Sequence, residues 1–388
     1  MAVPATVGFP RMLNEPGERR VFLPEFIQRI ANLGMKVYVE EGYGSRSGYT
    51  FGDFKSGNIA VRQCGHEEAY RQDLVIILRV PSPVELRMMR CGATLISMLH
   101  FATRPTRVEL LNELGIKAIS MDSIVDSRNL RLVENMKAVA WNGLEAAFDV
   151  LEKRWHGTTR PDGLPARVLI LGAGMVGKHA VEAATKFGNI ERNNDHVAVG
   201  GPGSIALTVG RNITSSPETM ERLMRETDVL VDASQRRDPS VPLIPNEWIA
   251  WLPAHAVVVD LSVDPYLLDN DPPTVRGVEG IPQGNLDQYV FEPDDPNWEK
   301  TVPESVSSIN RRTTVTCYSW PGIHPQACME HYARQLRPFV EVLARKSYDD
   351  LSLDVGYFER ALHWGTLKEW MKQEIEPDQK IGEMQQIV

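Results

Sequence analysis

The 388-residue chain has little that would tie it to a nucleic acid, a membrane surface or an oxidising compartment. It holds no run of basic residues, and 42 Lys and Arg against 51 Asp and Glu give a net charge of −9. This balance argues against an anionic macromolecule as a partner. Its four cysteines, Cys64, Cys91, Cys317 and Cys328, show no C-x-x-C spacing, so neither a disulfide framework nor a zinc site is indicated.

Long apolar runs are also missing. No segment approaches the ~18 consecutive apolar residues needed to span a bilayer. The opening "MAVPATVGFPRM" lacks the apolar core of a signal peptide. We therefore expect a soluble, reduced, cytoplasmic protein without a nucleic-acid or membrane partner. Internal repeats and low-complexity tracts are absent from the sequence as well.

The length predicts two domains, because a single hydrophobic core stops growing near ~250–300 residues. In the first third, apolar runs typical of buried strands alternate with amphipathic stretches that end at a glycine. Such alternation predicts an α/β domain with a parallel sheet. The strands are expected at 6–10, 36–41, 74–80, 93–99 and 117–122, and the helices at 23–34 and 104–115.

A long helical stretch at 132–155 and a polar segment at 156–167 mark a change of domain. A second alternating set follows, with strands expected at 167–174, 204–210, 228–234, 256–264 and 313–319. Residues 265–312 have little periodicity and fit either a functional loop or an insertion. A last long helix at 326–346, with a kink expected at Pro338, suggests that the chain returns to the first domain.

The stretch "LILGAGMVGKHAV" at 169–181 fits the pattern G-x-G-x-x-G between a strand and a helix. Gly172 would permit the tight turn, Gly174 the approach of a pyrophosphate, and Gly177 close helix–strand packing. The first helical turn, with Met175 and Val176, would offer free N–H groups to the anion. This context predicts a dinucleotide-binding domain.

The acidic residue expected ~20 positions later, for the ribose 2′-hydroxyl, is missing. The second strand could be 196–201 or 204–210, and neither ends in a carboxylate. Arg211 and Ser204 would suit a 2′-phosphate instead. We therefore expect NAD(P) as the cofactor, with NADP slightly favoured over NAD.

The whole chain resembles the alanine dehydrogenase family, with its relatives lysine-forming saccharopine dehydrogenase and the N-terminal part of nicotinamide nucleotide transhydrogenase. The likeness covers roughly residues 5–348. Five motifs carry it: "VGFPRMLNEPGERRVFLP", "ILRVPSP", "SMLHFA", "VVVDLSVDPY" and "SWPGIHPQA". The resemblance implies two Rossmann-like domains with parallel sheets. A cofactor domain, 151–324, would be inserted into a discontinuous substrate domain made of 1–150 and 325–388.

The family's functional residues can be carried onto this chain. Arg20 would bind the substrate carboxylate, for which a guanidinium fork is suited. His100 would be the catalytic acid–base group, and Asp264 would help to activate water or ammonia. Arg79 departs from the family, which has a lysine there; arginine can hold a carboxylate but cannot shuttle a proton near neutrality.

Two further residues are expected at the cofactor. Ser234 ends the strand predicted at 228–234, and Trp320 replaces the methionine usual before Pro321-Gly322. Trp320 would narrow the site or stack on a ligand, or it would simply pack. No metal site is expected, because His324, Cys328 and His331 lack a clear fourth ligand.

These features predict an NAD(P)H-dependent oxidoreductase that interconverts a 2-amino acid and a 2-oxo acid. A saccharopine-type or opine-type enzyme acting on a secondary amine is an alternative. A second alternative is a nucleotide-binding sensor without turnover, because Arg79 replaces the lysine that the family has at this position. The substrate would be a small amino or oxo acid, and the chain is expected to form a homo-oligomer.

Overall fold

The computed structural model describes residues 3–375 and divides the chain into two compact units. One unit comprises the chain up to Glu134 and from His324 onward, and the other comprises Asn135–Ile323. The strands are β1 (Thr6–Phe9), β2 (Lys36–Glu40), β3 (Val61–Cys64), β4 (Leu74–Arg79), β5 (Thr94–Met98), β6 (Lys117–Ser120), β7 (Ala166–Leu171), β8 (Ser204–Val209), β9 (Val229–Asp232), β10 (Val257–Asp260), β11 (Val290–Phe291) and β12 (Thr313–Thr316).

The helices alternate with these strands. They are α1 (Pro24–Asn32), α2 (Phe51–Lys55), α3 (His66–Tyr70), α4 (Pro83–Leu86), α5 (Pro105–Glu113), α6 (Met136–Trp155), α7 (Met175–Ala184), α8 (Ile190–Ala198), α9 (Arg211–Thr214), α10 (Pro217–Met224), α11 (Trp298–Thr301), α12 (Pro325–Leu343), α13 (Tyr357–Trp364) and α14 (Leu367–Ile375).

The first unit is built on one six-stranded parallel sheet in the order β3-β2-β1-β4-β5-β6. Strand β4 is apolar until its last residue because it is buried on both faces. Ile76 packs into one core, which also contains α1 and α12, while Val75 and Ile77 pack into the other. The order reverses direction between β1 and β4, where open α/β sheets bind ligands beyond the strands' carboxyl ends.

The second unit also has a six-stranded sheet, ordered β11-β12-β10-β9-β7-β8, in which only the short β11 runs antiparallel within the described range. Here β7 divides its side chains between two cores, with Val168 and Ile170 on one face and Leu169 and Leu171 on the other. The order reverses between β7 and β9. The sequence-based expectation of an α/β fold with two mainly parallel sheets is therefore confirmed.

The boundary between the units differs from the one expected near residue 150, because α6 belongs to the second unit. Its residues Ala140, Leu144 and Leu151 pack in the core formed by that sheet. A methyl group on Gly143 would lie 2.4 Å from Leu261 Cδ2, so this helix approaches the core closely. An apolar helix pattern does not reveal which sheet the helix covers.

Other local expectations also change. The second strand of the second unit is β8, since 196–198 continues α8. Strand β3 was not predicted from the sequence, because it is a four-residue edge strand with Arg62 and Gln63 exposed. Helix α12 continues through Pro338. Within residues 3–375, no helix combines the length and apolar character needed to cross a bilayer.

The segment 265–312 contains one buried guanidinium that contacts the end of strand β10. Arg276 is 1% exposed and forms an ion pair with Asp260 at 3.1 Å. It also donates hydrogen bonds to the main-chain oxygens of Asp264 at 3.1 Å and Pro282 at 2.5 Å. This arginine ties the irregular segment to the carboxyl end of β10.

Candidate functional site

The glycine-rich turn of the second unit begins directly after β7. Gly172 has a φ of 104°, in the left-handed region that favours glycine. A Cβ at this position would lie 2.7 Å from the carbonyl oxygen of Ala233. The turn therefore depends on glycine both for its backbone conformation and for its approach to the chain after β9.

The other two glycines fulfil different spatial requirements. Gly174 precedes α7, and a Cβ there would have no neighbour within 4 Å, so space is open beside it. A Cβ on Gly177 would lie 2.1 Å from the carbonyl oxygen of Gly172. Met175 and Val176 lie in the first helical turn, whose N–H groups have no partner within the helix. This geometry matches a pyrophosphate-binding turn.

A cavity of about 700 Å³ opens at the carboxyl ends of β7, β8 and β9. Four of the residues predicted from sequence to bind the cofactor line it: Gly172, Gly174, Arg211 and Ser234. Trp248, Arg236 and Arg237 are further lining residues that sequence reasoning missed. The cavity lies at the reversal point of the sheet, where dinucleotides bind in folds of this kind.

Trp320 has a different environment from the one expected of a ligand-binding residue. It is 1% exposed, and its Nε1 donates a hydrogen bond to the main-chain oxygen of Asp260 at 2.7 Å. Its ring packs edge-on against Tyr289. Trp320 is not among the described residues that line the cavity, so the structure gives it a packing position.

The charges around this cavity are mainly positive. Arg211 and Arg237 line it and form no ion pair among the described residues, whereas Arg236 pairs with Asp264 at 2.8 Å. Asp238 is the single acid among the described lining residues, and Ser240 donates to it from its N–H at 2.9 Å and its hydroxyl at 2.5 Å. Two guanidiniums therefore remain available to an anion.

Asp264 lies in an irregular stretch after the end of β10 at Asp260, although the sequence predicted a strand up to residue 264. Val263 before it has a φ of 56°, uncommon for a β-branched residue. The carboxylate of Asp264 is bound by Arg236, and its main-chain oxygen is bound by Arg276. The side chain is still 38% exposed, so it can also meet a ligand.

Asp232, at the end of β9, is a fully buried carboxyl group below Ser234. Its Oδ1 accepts hydrogen bonds from the Ser234 N–H at 3.0 Å and hydroxyl at 2.6 Å, while Oδ2 has no partner among the described residues. Burial and the nearby charge of Asp260 raise the pKa of Asp232 to about 6.

In the first unit, Arg20 is 3% exposed and paired with Glu18. Its Nε donates to Glu18 Oε1 at 2.9 Å, and its Nη2 donates to Glu18 Oε2. Burial alone would raise the pKa of Glu18, but this bond and the charge of Arg20 hold it below its usual range. Arg20 is therefore a fixed cation whose position is set by Glu18.

Glu15 connects Arg20 to the second predicted substrate residue. Its Oε1 accepts a hydrogen bond from Arg79 Nη2, and its Oε2 lies 3.8 Å from Arg20 Nη2. Two guanidiniums, one after β1 and one at the end of β4, therefore converge on one carboxylate. They lie at the reversal point of the first sheet, beside a cavity of about 300 Å³ with Asn14, Glu15, Glu18, Arg79, Ser82 and Arg107 in its walls.

His100 follows β5 with a φ of 51°, and its ring is 44% exposed. Its Nδ1 lies 3.2 Å from Asp122 Oδ2, and its main-chain N–H donates to Asp122 Oδ1 at 3.2 Å. Ser120 also donates to Oδ1, at 2.5 Å. Burial alone would raise the pKa of Asp122, but the His100 contacts and Ser120 hold it well below its usual range.

This arrangement orients the imidazole. A carboxylate on Nδ1 favours the tautomer with a proton there and leaves Nε2 for a ligand. Asp122 ends the strand predicted at 117–122, which neighbours the strand before His100. The carboxyl ends of neighbouring parallel strands lie at one edge of a sheet, so the sequence could have indicated this contact. Glu15, by contrast, lies in a turn with no periodic pattern.

Metal ligation finds no geometric support in the part of the chain that the structure describes. No group of three or more His, Cys, Asp or Glu side chains lies there in a position to hold an ion. His324, Cys328 and His331 in particular do not form such a group.

Two parallel sheets, a glycine turn at a helix N-terminus and a histidine–aspartate pair define the class of dinucleotide-binding oxidoreductases with two Rossmann-like units. Family models match both parts: the alanine dehydrogenase/PNT N-terminal domain matches residues 9–140, and the C-terminal domain matches residues 155–265. The chain belongs to the alanine dehydrogenase/PNT family.

Individual relatives agree with this assignment. Alanine dehydrogenase of Bacillus subtilis (strain 168) is 25% identical over 272 residues, covering 66% of this chain and 70% of the relative. Alanine dehydrogenase 1 of Staphylococcus aureus (strain NCTC 8325 / PS 47) is 23% identical over 333 residues, covering 74% and 88%.

Solved structures resemble the fold. An L-alanine dehydrogenase superposes with a TM-score of 0.68 at 21% identity, covering 93% of this chain and 94% of that one. A transhydrogenase from Sinorhizobium meliloti gives a TM-score of 0.57 at 18% identity, covering 87% and 94%.

Replacing the glycines of the turn separates packing from ligand binding. Gly177→Ala places a methyl group against the Gly172 carbonyl, and we expect a loss of about 1–3 kcal/mol in the free energy of unfolding. Gly174→Ala meets open space, so the unfolding temperature should stay unchanged while the affinity for NAD(P)H falls. Thermal unfolding without cofactor and fluorescence titration measure the two effects. An unchanged unfolding temperature for Gly177→Ala would contradict the packing role.

Asp232 should make stability depend on pH. Its folded pKa of about 6 exceeds the ordinary value of about 3.9, so its stabilisation is complete below pH ~4 and lost as the pH rises through about 6. Asp232→Asn should remove this loss, on the order of 3 kcal/mol by pH ~8. Unfolding of the full chain between pH 4 and 8 tests this, with the exposed Asp269→Asn as control. Parallel pH profiles for wild type and Asp232→Asn would contradict it.

Proposed function

We propose that this protein is an NAD(P)H-dependent amino-acid dehydrogenase that interconverts a 2-oxo acid and a 2-amino acid. One observation carries the proposal: a single carboxylate, that of Glu15, is bound by Arg79 and approached by Arg20 in the unit that also holds the His100–Asp122 pair. A substrate carboxylate can replace Glu15 between the same two guanidiniums.

Carboxylate binding is assigned to Arg79, with Arg20 as the second cation. A guanidinium matches a carboxylate with two parallel hydrogen bonds. Arg79 and Glu15 are each about one-third exposed, so their ion pair adds little stability and can exchange for a ligand. Arg20 keeps its bond to Glu18 throughout, because that pair is buried.

Proton transfer is assigned to His100. Arg79 stands where relatives of the family have a lysine, and arginine stays protonated. His100 can hold a proton on Nε2 while Asp122 binds Nδ1 and stabilises the charged ring. In the reductive direction, ammonia adds to the carbonyl carbon of the 2-oxo acid. His100 then gives a proton to the resulting hydroxyl group, the C–O bond breaks, and water leaves an iminium that can be reduced.

The cavity at β7, β8 and β9 fits a dinucleotide, since Gly174 leaves space for a pyrophosphate next to the first turn of α7. The glycine turn and Ser234 would hold the nicotinamide dinucleotide, and the chemistry it would supply is hydride transfer to or from the substrate Cα. Asp264 is the proposed residue that positions ammonia or water, and the hydrogen bond from Arg236 orients its carboxylate.

The names of the relatives favour a primary amine as the product. The relatives from Bacillus subtilis and Staphylococcus aureus are alanine dehydrogenases, and the resemblance to the family rests on motifs that include Arg20, His100 and Asp264. A secondary-amine product, as in saccharopine-type enzymes, is distinguished by replacing ammonia with amino-acid donors in the assay.

Removing the proposed acid–base group is the direct test. His100→Ala should lower turnover by at least ~100-fold while cofactor affinity and unfolding temperature stay near wild type. The assay follows NAD(P)H absorbance with a panel of 2-oxo acids, each with ammonia and with amino-acid donors. Near-normal turnover of the variant would remove His100 from the mechanism, and no turnover of wild type with any donor would contradict the proposed reaction.

Cofactor choice is the finer part of the proposal. NADPH should bind more tightly than NADH, because Arg211 and Arg237 face the cavity without an ion-pair partner among the described residues. Replacing both Arg211 and Arg237 with Ala should abolish the preference for NADPH. Arg222 is exposed on α10, and Arg222→Ala should preserve the preference. Fluorescence titration with both cofactors measures this. A clear preference of wild type for NADH contradicts it.

A further inference from the structure

Arg107 is a third arginine at the cavity of the first unit, and the mechanism above does not use it. It lies on α5 and forms part of the wall that also contains Arg79 and Glu15. Its Nη1 donates a hydrogen bond to the main-chain oxygen of Leu99 at 2.6 Å. Leu99 directly precedes His100, so the guanidinium lies beside the proposed acid–base group.

The other arginine assigned to the substrate at this cavity, Arg79, already has a carboxylate partner. Arg79 is paired with Glu15, and Glu18, which also lines the cavity, is paired with Arg20. Arg11 also lines the cavity, and its Nη1 lies 3.2 Å from the position that a Cβ on Gly42 would take. Arg107 forms no ion pair among the described residues, so no carboxylate in residues 3–375 lies in direct contact with its guanidinium.

This uncompensated charge is partly removed from water. Burial, together with the nearby charges of Arg104 and Arg79, lowers the pKa of Arg107 to about 10, although the charge of Asp122 opposes this shift. Arg79 and Arg107 both line the same cavity of about 300 Å³, so one small molecule bound there can meet both guanidiniums. Removing a cation from water without a counter-charge costs free energy, and a bound anionic ligand would offset that cost.

We propose that Arg107 binds a second acidic group of the substrate, so that the preferred 2-oxo acid is a dicarboxylate. The inference rests on the proposed function, because it assigns the first carboxylate to Arg79 and Arg20. The distal carboxylate then accepts hydrogen bonds from the Arg107 donors that Leu99 leaves free. A monocarboxylic acid such as pyruvate would leave this guanidinium unpaired, which makes Arg107 a specificity-determining residue.

The experiment compares acids that differ only in the distal group. For wild type, kcat/KM should be at least about tenfold higher with 2-oxoglutarate or 2-oxoadipate than with pyruvate or 2-oxobutyrate, as for a hydrogen bond to a charged group. Arg107→Met should remove this advantage while leaving the monocarboxylic acids within about threefold of wild type. Arg107→Lys keeps a charge and a donor for Leu99, and it should retain part of the preference.

Arg104→Met is the matched control, since Arg104 lies three residues earlier and is absent from the described lining of this cavity. It should leave the preference unchanged. If Arg107→Met lowered kcat/KM equally for dicarboxylic and monocarboxylic acids, and Arg107→Lys restored both values, Arg107 would only hold the Leu99 carbonyl. That result would overturn the proposal. A wild type that prefers pyruvate would also overturn the proposal.

A binding measurement separates this inference from the proposed reaction. Glutarate and butyrate carry two and one carboxylates and cannot be reduced, so calorimetric titration of the whole protein reports binding without turnover. Tighter binding of glutarate than butyrate in wild type, lost in Arg107→Met, supports the inference even where no oxo acid is turned over. Absence of that difference overturns it even where pyruvate is a substrate.

Discussion

Parallel strands place their carboxyl ends along one edge of a sheet, and the candidate functional residues of this protein depend on that constraint. Arg79 ends β4, His100 follows β5, and Asp122 follows β6, so neighbouring strands bring them to one edge. The second sheet repeats the arrangement with the turn at Gly172 and with Ser234 after β9. In each unit, a cavity lies where the strand order reverses, because helices there leave the sheet in opposite directions.

Arginine–carboxylate pairs then fix the side chains at these edges. Glu18 sets the geometry of Arg20, and Arg236 sets that of Asp264. The pair of Glu18 and Arg20 is buried; such a pair adds little net stability, but it is costly to break, because the remaining charge would be buried alone. These pairs therefore act mainly by holding orientation. The pair of Glu15 and Arg79 is more exposed, which suits a contact that a ligand replaces.

The irregular segment 265–312 depends on the same chemistry. Arg276 extends from this segment to Asp260 at the end of β10, and its bond to the main chain of Asp264 fixes that residue as well. The nearby Asp232 has no such cation as a partner among the described residues, and burial together with the charge of Asp260 raises its pKa. Two aspartates at adjacent strand ends thus have different electrostatic environments because one arginine reaches only one of them.

Patterns in the sequence determined the α/β class, most strand positions and the glycine turn, because each rests on local periodicity or on a backbone conformation that only glycine adopts easily. Family resemblance added Arg20, Arg79, His100 and Asp264. Tertiary structure alone decided that α6 covers the second sheet, that Trp320 packs in a core, and that Glu15, Asp122 and Arg107 lie beside the predicted residues. These are contacts between distant segments, and the partner of a side chain depends on how strands are ordered, which no local pattern encodes.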